Sequence, residues 1–464
     1  MTTHAHSMAP VTSANVSIRR LRTLFEGRVT APHDDGYDAA RTVFYGGIDR
    51  RPALIIKAED AGDVSRVVTA ARDSGLELAV RSGGHSIAGH GVTDGGIVLD
   101  LSRMKAFELD VERRSAWAET GLSAGEYTTA AGVHGLATGF GDTGSVGIGG
   151  ITLGGGIGYL VRKHGLTIDD VLAAEIVTAD AKLLYVDARR HPDLFWAIRG
   201  GGGNFGVVTR FKFRLHEVDR ILGGTLILPA TREIIASFAA AAEAAPEELS
   251  TIASVMKAPP LPALPTEAHG KLVIIARMVY AGDVGAGERA IAPFRRLAKP
   301  VADMVKPMRY AELYEPDAGR HPVASIHTMF VDTIDGAAAQ TIIDHLHTST
   351  AKMAAVEIRV LGGAMARVSA DATAFAHRGS RIMVNIAAMY ERPDEAVVHQ
   401  SWADTVADAL RQGDAGAYVG FLRDEGAVRV REAYPGATWE RLVAIKNRYD
   451  PVNLFRLNHN IPPG

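Results

Sequence analysis

The chain has 464 residues, enough for two domains, and 47% of them are hydrophobic, which supports packed cores and excludes a disordered protein. Fifty basic side chains stand against 53 acidic ones, a balance that argues against a nucleic-acid partner, and no apolar run is long enough to span a membrane. Cysteine is absent, so disulfides, thiolate metal sites and cysteine nucleophiles are excluded.

The opening Met1-Thr2-Thr3-His4-Ala5-His6 has no charged segment followed by an apolar one, so no secretory signal is expected and the cytoplasm is the simplest location. Asp63 is expected to cap a helix whose apolar face is Val64, Val67, Val68 and Ala71, with Gly75 ending it. An apolar run at 76–80 reads as a buried strand, and a second strand is expected at 97–101. Between them lies Arg81-Ser82-Gly83-Gly84-His85-Ser86. Glycines beside an imidazole let backbone N–H groups close on a diphosphate while the histidine stands at the same ligand. Taken alone, the loop also reads as an ordinary turn, where Gly and Ser collect.

Ser123 and Glu126 have the spacing of a capping box. A second glycine-dense stretch, Gly141-Asp142-Thr143-Gly144-Ser145-Val146-Gly147-Ile148-Gly149-Gly150, continues into Gly154-Gly155-Gly156-Ile157-Gly158. So many glycines cost chain entropy, and the close backbone approach they allow suits a flat ring or a phosphate. Runs at 173–177 and 183–186 read as strands joined at Asp180. Gly201-Gly202-Gly203-Asn204-Phe205-Gly206 contains a literal GxGxxG, but a helix-like stretch at 193–198 precedes it and a strand at 207–215 follows. A dinucleotide fold needs the reverse order, with the helix N-terminus at the pyrophosphate, so that reading is rejected.

After about residue 218 the texture changes. A helix is expected at 233–245, then a connection holding Pro259, Pro260, Pro262 and Pro265. Strands at 272–278, 357–361 and 382–389 alternate with helices such as 337–348. His345 and His347, two apart on a helix, point to different faces, so no metal site is expected. No nucleophile-elbow sequence precedes a helix.

Four stretches carry a family resemblance: the Arg81–Ser86 loop, the glycine region 141–158, the run from Phe195-Trp196-Ala197 to Gly206-Val207-Val208-Thr209, and the ending Tyr449-Asp450-Pro451-Val452-Asn453-Leu454-Phe455-Arg456-Leu457-Asn458-His459-Asn460-Ile461. In this order they resemble the vanillyl-alcohol-oxidase (PCMH-type) superfamily, and within it the berberine bridge enzyme-like branch. The resemblance implies an α+β protein. A two-part FAD-binding PCMH-type domain would span 1–218, with the segment 420–464 returning to it. A substrate domain at 219–419 would be an antiparallel sheet covered by helices.

It further implies FAD, carried covalently on His85 through the 8α-methyl group. On the cofactor side it implies Arg81, Ser82, Gly83, Gly84, Ser86, Gly141, Asp142, Thr143, Ser145, Val146, Gly147, Gly149, Gly150, Gly206, Val208, Asn458 and Asn460. Where many relatives carry a second link through cysteine, this chain has Thr143, so one attachment is expected. Ile151 stands where doubly linked relatives place a histidine, and with Thr143 this resembles the singly linked bacterial amine oxidases; Ile157 replaces a tyrosine that some sugar-oxidising relatives use. Of the family's Tyr-x-Asn-Tyr segment only Tyr418 matches, with Phe421 in the last place; Tyr418 is the candidate catalytic base, and a core tyrosine is the competing reading. The implied reaction is hydride transfer from a small-molecule amine or alcohol to FAD, with O₂ as electron acceptor. A dehydrogenase using another acceptor and a non-catalytic flavoprotein are the alternatives.

Overall fold

The structure is a computed structural model describing residues 18–260, 264–314, 319, 321–413 and 416–464. The expectations for the first six residues and for Pro262 lie outside the described residues.

Three parallel strands, Leu54–Lys57, Ile97–Asp100 and Leu78–Arg81, form the first sheet, with Val29–Thr30 antiparallel at its edge. Helix Ala61–Ser74 presents Val64, Val67, Val68 and Ala71 to the core at helical spacing, and Gly75 ends it at φ 68°. Its cap is Asp60, not Asp63: the Asp60 side chain accepts the Asp63 N–H at 2.7 Å. Asp63 lies within the first turn, where its carboxylate is engaged by Arg28, Arg66 and the Glu59 N–H, so the helix starts ahead of the expected point. Arg81 belongs to its strand and pairs with Asp100 at 2.8 Å, so the glycine loop begins at Ser82.

A second, antiparallel sheet runs in the order Phe107–Asp110, Ser115–Glu119, Val207–Arg214, Val171–Val177, Leu183–Asp187. The turn at Asp180 joins its last two strands as expected. The capping box at Ser123 and Glu126 opens helix Ala124–Gly132. Helix Pro192–Ala197 precedes the GxGxxG run and a strand follows it.

The third sheet has eight strands, all antiparallel, with Arg220–Pro229, Leu272–Tyr280, Leu249–Lys257, Met353–Val360, Ile382–Tyr390 and Val323–Val331 side by side. Strand alternation sends Val356, Ile358, Val384, Ile386, Met329 and Val331 to one face. Helices Arg232–Ala244, Val284–Arg295, Gly336–Thr348 and Ala396–Leu410 cover that face with Phe238, Phe294, Ile342 and Val406. The opposite face looks toward the glycine loops. Leu442, Ile445 and Ile461 from the end of the chain pack in one core with Tyr127, Phe140, Phe211 and Phe213 from the first half.

Candidate active site

A cleft runs between the three glycine stretches, the turn at Tyr418 and the tail. Its walls include Arg81, Ser82, Gly83, Gly84, His85 and Ser86 from the first loop and Gly141, Asp142, Thr143, Val146, Gly147, Gly149 and Gly150 from the second. Gly206, Val208, Asn458 and Tyr418 complete the set of expected residues at its surface. Ser145 and Asn460 are set back from the walls.

The loops cross so closely that glycine is required. A Cβ on Gly83 would stand 2.2 Å from the Gly147 nitrogen, and one on Gly147 would stand 2.1 Å from the Ser82 hydroxyl. Gly84 turns with φ 70°, which brings His85 round to stack on Phe44 at 3.9 Å and 20°. Ser82 donates to the Thr120 carbonyl and fixes the start of the loop.

Asn204 ties the third glycine run to the tail: its amide donates to the Gly201 and His459 carbonyls and its oxygen accepts the Ile461 N–H at 2.9 Å. Several buried polar atoms around the cleft have no protein partner, among them Asn458 Oδ1, Asn460 Oδ1, Tyr434 OH and Arg81 Nη1. Buried polar groups are seldom left unpaired. Glycine loops at the cleft wall, a histidine at their edge and unpaired amide oxygens on the tail together fit a flavin dinucleotide.

Tyr418 lies at the other end, 3% exposed. Its oxygen accepts the Gly156 N–H at 3.1 Å, a contact that uses a lone pair and not the phenolic hydrogen. Burial raises its pKa, while the backbone N–H groups of Gly156 and Ile157 and the charge of Arg359 oppose the rise. Phe421, in the short turn that follows, also faces the cleft.

Several residues of the site were not foreseen from the sequence. Arg359 on the large sheet bonds Glu357 at 2.6 Å and pairs with Asp142 of the second glycine loop, with its guanidinium over the Phe421 ring at 5.1 Å. Burial, with Asp142 and Glu357 nearby, pushes the Tyr45 phenol up to about 12. His90 and His459 meet edge to face at 4.9 Å, and burial holds them down to about 3 and about 4. Among the described residues no group of three or more side chains is placed to hold a metal ion, and no helix is long and apolar enough to cross a membrane.

Residues 52–187 match the FAD binding domain family, and residues 417–462 match the berberine and berberine-like family. The (R)-6-hydroxynicotine oxidase of Paenarthrobacter nicotinovorans is 31% identical, over 94% of this chain and 97% of that one. The glucooligosaccharide oxidase of Sarocladium strictum is 26% identical, over 91% and 89%. Among solved structures, 6-hydroxy-D-nicotine oxidase from Arthrobacter nicotinovorans superposes with a TM-score of 0.85 at 28% identity, over 94% of this chain and 98% of that one. A chitooligosaccharide oxidase, with a TM-score of 0.84 at 22% identity and coverage of 96% and 99%, shares the fold. The chain belongs to the FAD-linked oxidoreductases of the berberine bridge enzyme-like family.

Proposed function

We propose that the protein oxidises a small-molecule amine or alcohol, passing hydride from a substrate carbon to FAD held covalently through His85, with O₂ taking the electrons. The observation that carries this reading is the meeting, in one cleft, of the His85 glycine loop with a buried tyrosine from the tail turn. When bound, the flavin supplies the hydride acceptor, and the protein supplies orientation and local charge. Residues up to about 218 and from about 420 would form the cofactor-binding part, with 219–419 as the substrate part.

The imidazole of His85 lies flat on Phe44, which limits its rotation at the attachment point. Thr143 offers no thiolate, so attachment is single. Tyr418 would serve by orienting the substrate, or as a base only after losing its own proton: burial holds that proton on by raising the pKa, and two backbone N–H groups and a nearby guanidinium offset part of the rise. An alcohol substrate needs that proton acceptor. A neutral amine gives up hydride without one. Relatives named for 6-hydroxynicotine and for a glucooligosaccharide support keeping both classes.

The test is acid precipitation of the purified yellow protein, followed by an aerobic substrate screen that reads hydrogen peroxide. Colour should stay in the pellet for the wild type and pass to the supernatant for His85→Ala. Free FAD from the wild type defeats the covalent link, and substrate-dependent bleaching without peroxide defeats O₂ as acceptor.

A further inference from the structure

Phe44 lies in a stretch after helix Tyr37–Arg41 that forms neither helix nor strand, yet it is anchored on both sides. Its N–H donates to the Gly84 carbonyl at 3.1 Å, which ties the segment to the residue just before His85. Val43 packs in a core with Tyr37, Ile55 and Val98. Beyond Phe44, the Gly46 N–H donates to the Pro322 carbonyl at 3.0 Å, and His321 Nδ1 donates to the Val43 carbonyl at 3.0 Å. This crossing needs glycine, because a Cβ on Gly46 would stand 2.5 Å from the His321 carbonyl oxygen. Tyr45 meets the Phe44 ring edge to face at 5.0 Å.

So held, the Phe44 ring lies against the His85 imidazole with centroids 3.9 Å apart and planes 20° from parallel. Both residues line the cleft. The bonding lone pair of an imidazole nitrogen lies in the plane of its ring. Rotation about the bond to Cβ therefore swings that lone pair away from its target, and this torsion is broad in histidine when nothing restricts it. A flat neighbour against the ring face restricts the rotation without covering the edge, where the lone pair lies.

The geometry points to Phe44 as the positioning residue for covalent attachment of the flavin, aiming the edge of His85 at the 8α carbon. This rests on the proposed link through His85. In that step a C–N bond forms as one 8α C–H bond and the imidazole N–H bond break. The flavin gains two electrons and two protons, and O₂ then takes both pairs as hydrogen peroxide. Orientation matters greatly in such a step, and a displacement of about 1 Å can cost about 10²-fold in rate.

The whole protein is purified with its flavin and precipitated in acid, and FAD is measured in pellet and supernatant. In-gel flavin fluorescence checks the attached share. Phe44→Leu keeps an apolar side chain without a flat face, so it should hold the wild-type total of FAD with the attached share lowered about tenfold or more. Phe44→Tyr keeps the ring and should be attached as fully as the wild type. Full attachment in Phe44→Leu overturns the role alone, as does poor attachment in Phe44→Tyr. A fall in total FAD that matches the fall in attached FAD also overturns it, because Phe44 then only shapes the pocket. Free FAD from the wild type overturns the His85 link and the role together.

Discussion

Tyr418 takes its chemistry from what surrounds its oxygen. Burial alone makes a phenol a poor base, and the Gly156 and Ile157 N–H groups recover part of that loss by favouring the charged form. Tyr418→Phe removes only the oxygen, so flavin reduction should slow about 10²-fold or more if the group takes the substrate proton. A stopped-flow change under about threefold, with the pH profile intact, would return Tyr418 to the core. At the opposite end of the cleft the residue that matters is a missing side chain. Gly83→Ala places a methyl group 2.2 Å from the Gly147 nitrogen, where both partners are backbone and neither can rotate away. Flavin loading per mole of protein should collapse while far-ultraviolet circular dichroism is kept; full loading would show that the loops can part. Both glycine loops and His85, which meet at one cleft, were legible in the sequence because runs of small residues in consecutive positions stand out without any partner. Arg359 was not, because its partner Asp142 is 217 residues away and no local spacing marks the pair.

At the scale of elements, the C-terminal helix Ala437–Tyr449 shows how the tail is held. Lys446 and Asp450 form a fully buried pair at 2.6 Å, and Lys446 also donates to the Asn204 and Phe455 carbonyls. Asp450 in turn accepts the Leu454 and Phe455 N–H groups at 2.8 Å. One ion pair thus joins the helix, the turn after it and the third glycine run. Lys446→Met leaves the carboxylate buried without its cation, a change worth about 3–5 kcal/mol of destabilisation. Urea unfolding should show that loss as a lower midpoint, together with weaker flavin retention; a midpoint shift equivalent to less than about 1 kcal/mol would mean water reaches the pair. Elements with local signals were legible, including the capping box at Ser123, the strands either side of Asp180 and the reversed helix-to-strand order around the GxGxxG run. The helix start at Asp60 was missed because Asp63 has the right side chain, and its engagement by Arg28, 35 residues away, and by Arg66 within the helix shows only in the fold. The order of the eight strands is set by pairings such as Val356 with Ile386 and Val255, which alternation within one strand does not specify.

For the whole molecule, neutral buried imidazoles set the response to acid. Burial holds His90 and His164 at about 3 and His459 at about 4, all below the ordinary 6.5. His164 stacks on His216, which pairs with Asp170, while His459 hydrogen-bonds the backbone at Val419 and Leu422, in the turn after Tyr418. Below about pH 6.5 the unfolded chain takes up protons at these positions that the folded chain refuses, so the unfolded state gains. Stability from these groups is full above pH 6.5 and is lost as pH falls toward 4, by at most about 1.4 kcal/mol per pH unit for each histidine. The thermal midpoint of the flavin-loaded protein should therefore hold steady from pH 8 to 6.5 and then fall. His459→Gln keeps a hydrogen-bonding side chain without a titrating ring, so it should flatten the fall at the tail and delay acid release of the Tyr418 turn, followed by tyrosine fluorescence. His164→Gln should flatten the fall equally with no effect on that turn, because it sits away from the cleft. If both variants lose stability with the wild-type slope between pH 6.5 and 4, the acid response comes from carboxylates, and the imidazoles are not held neutral by burial.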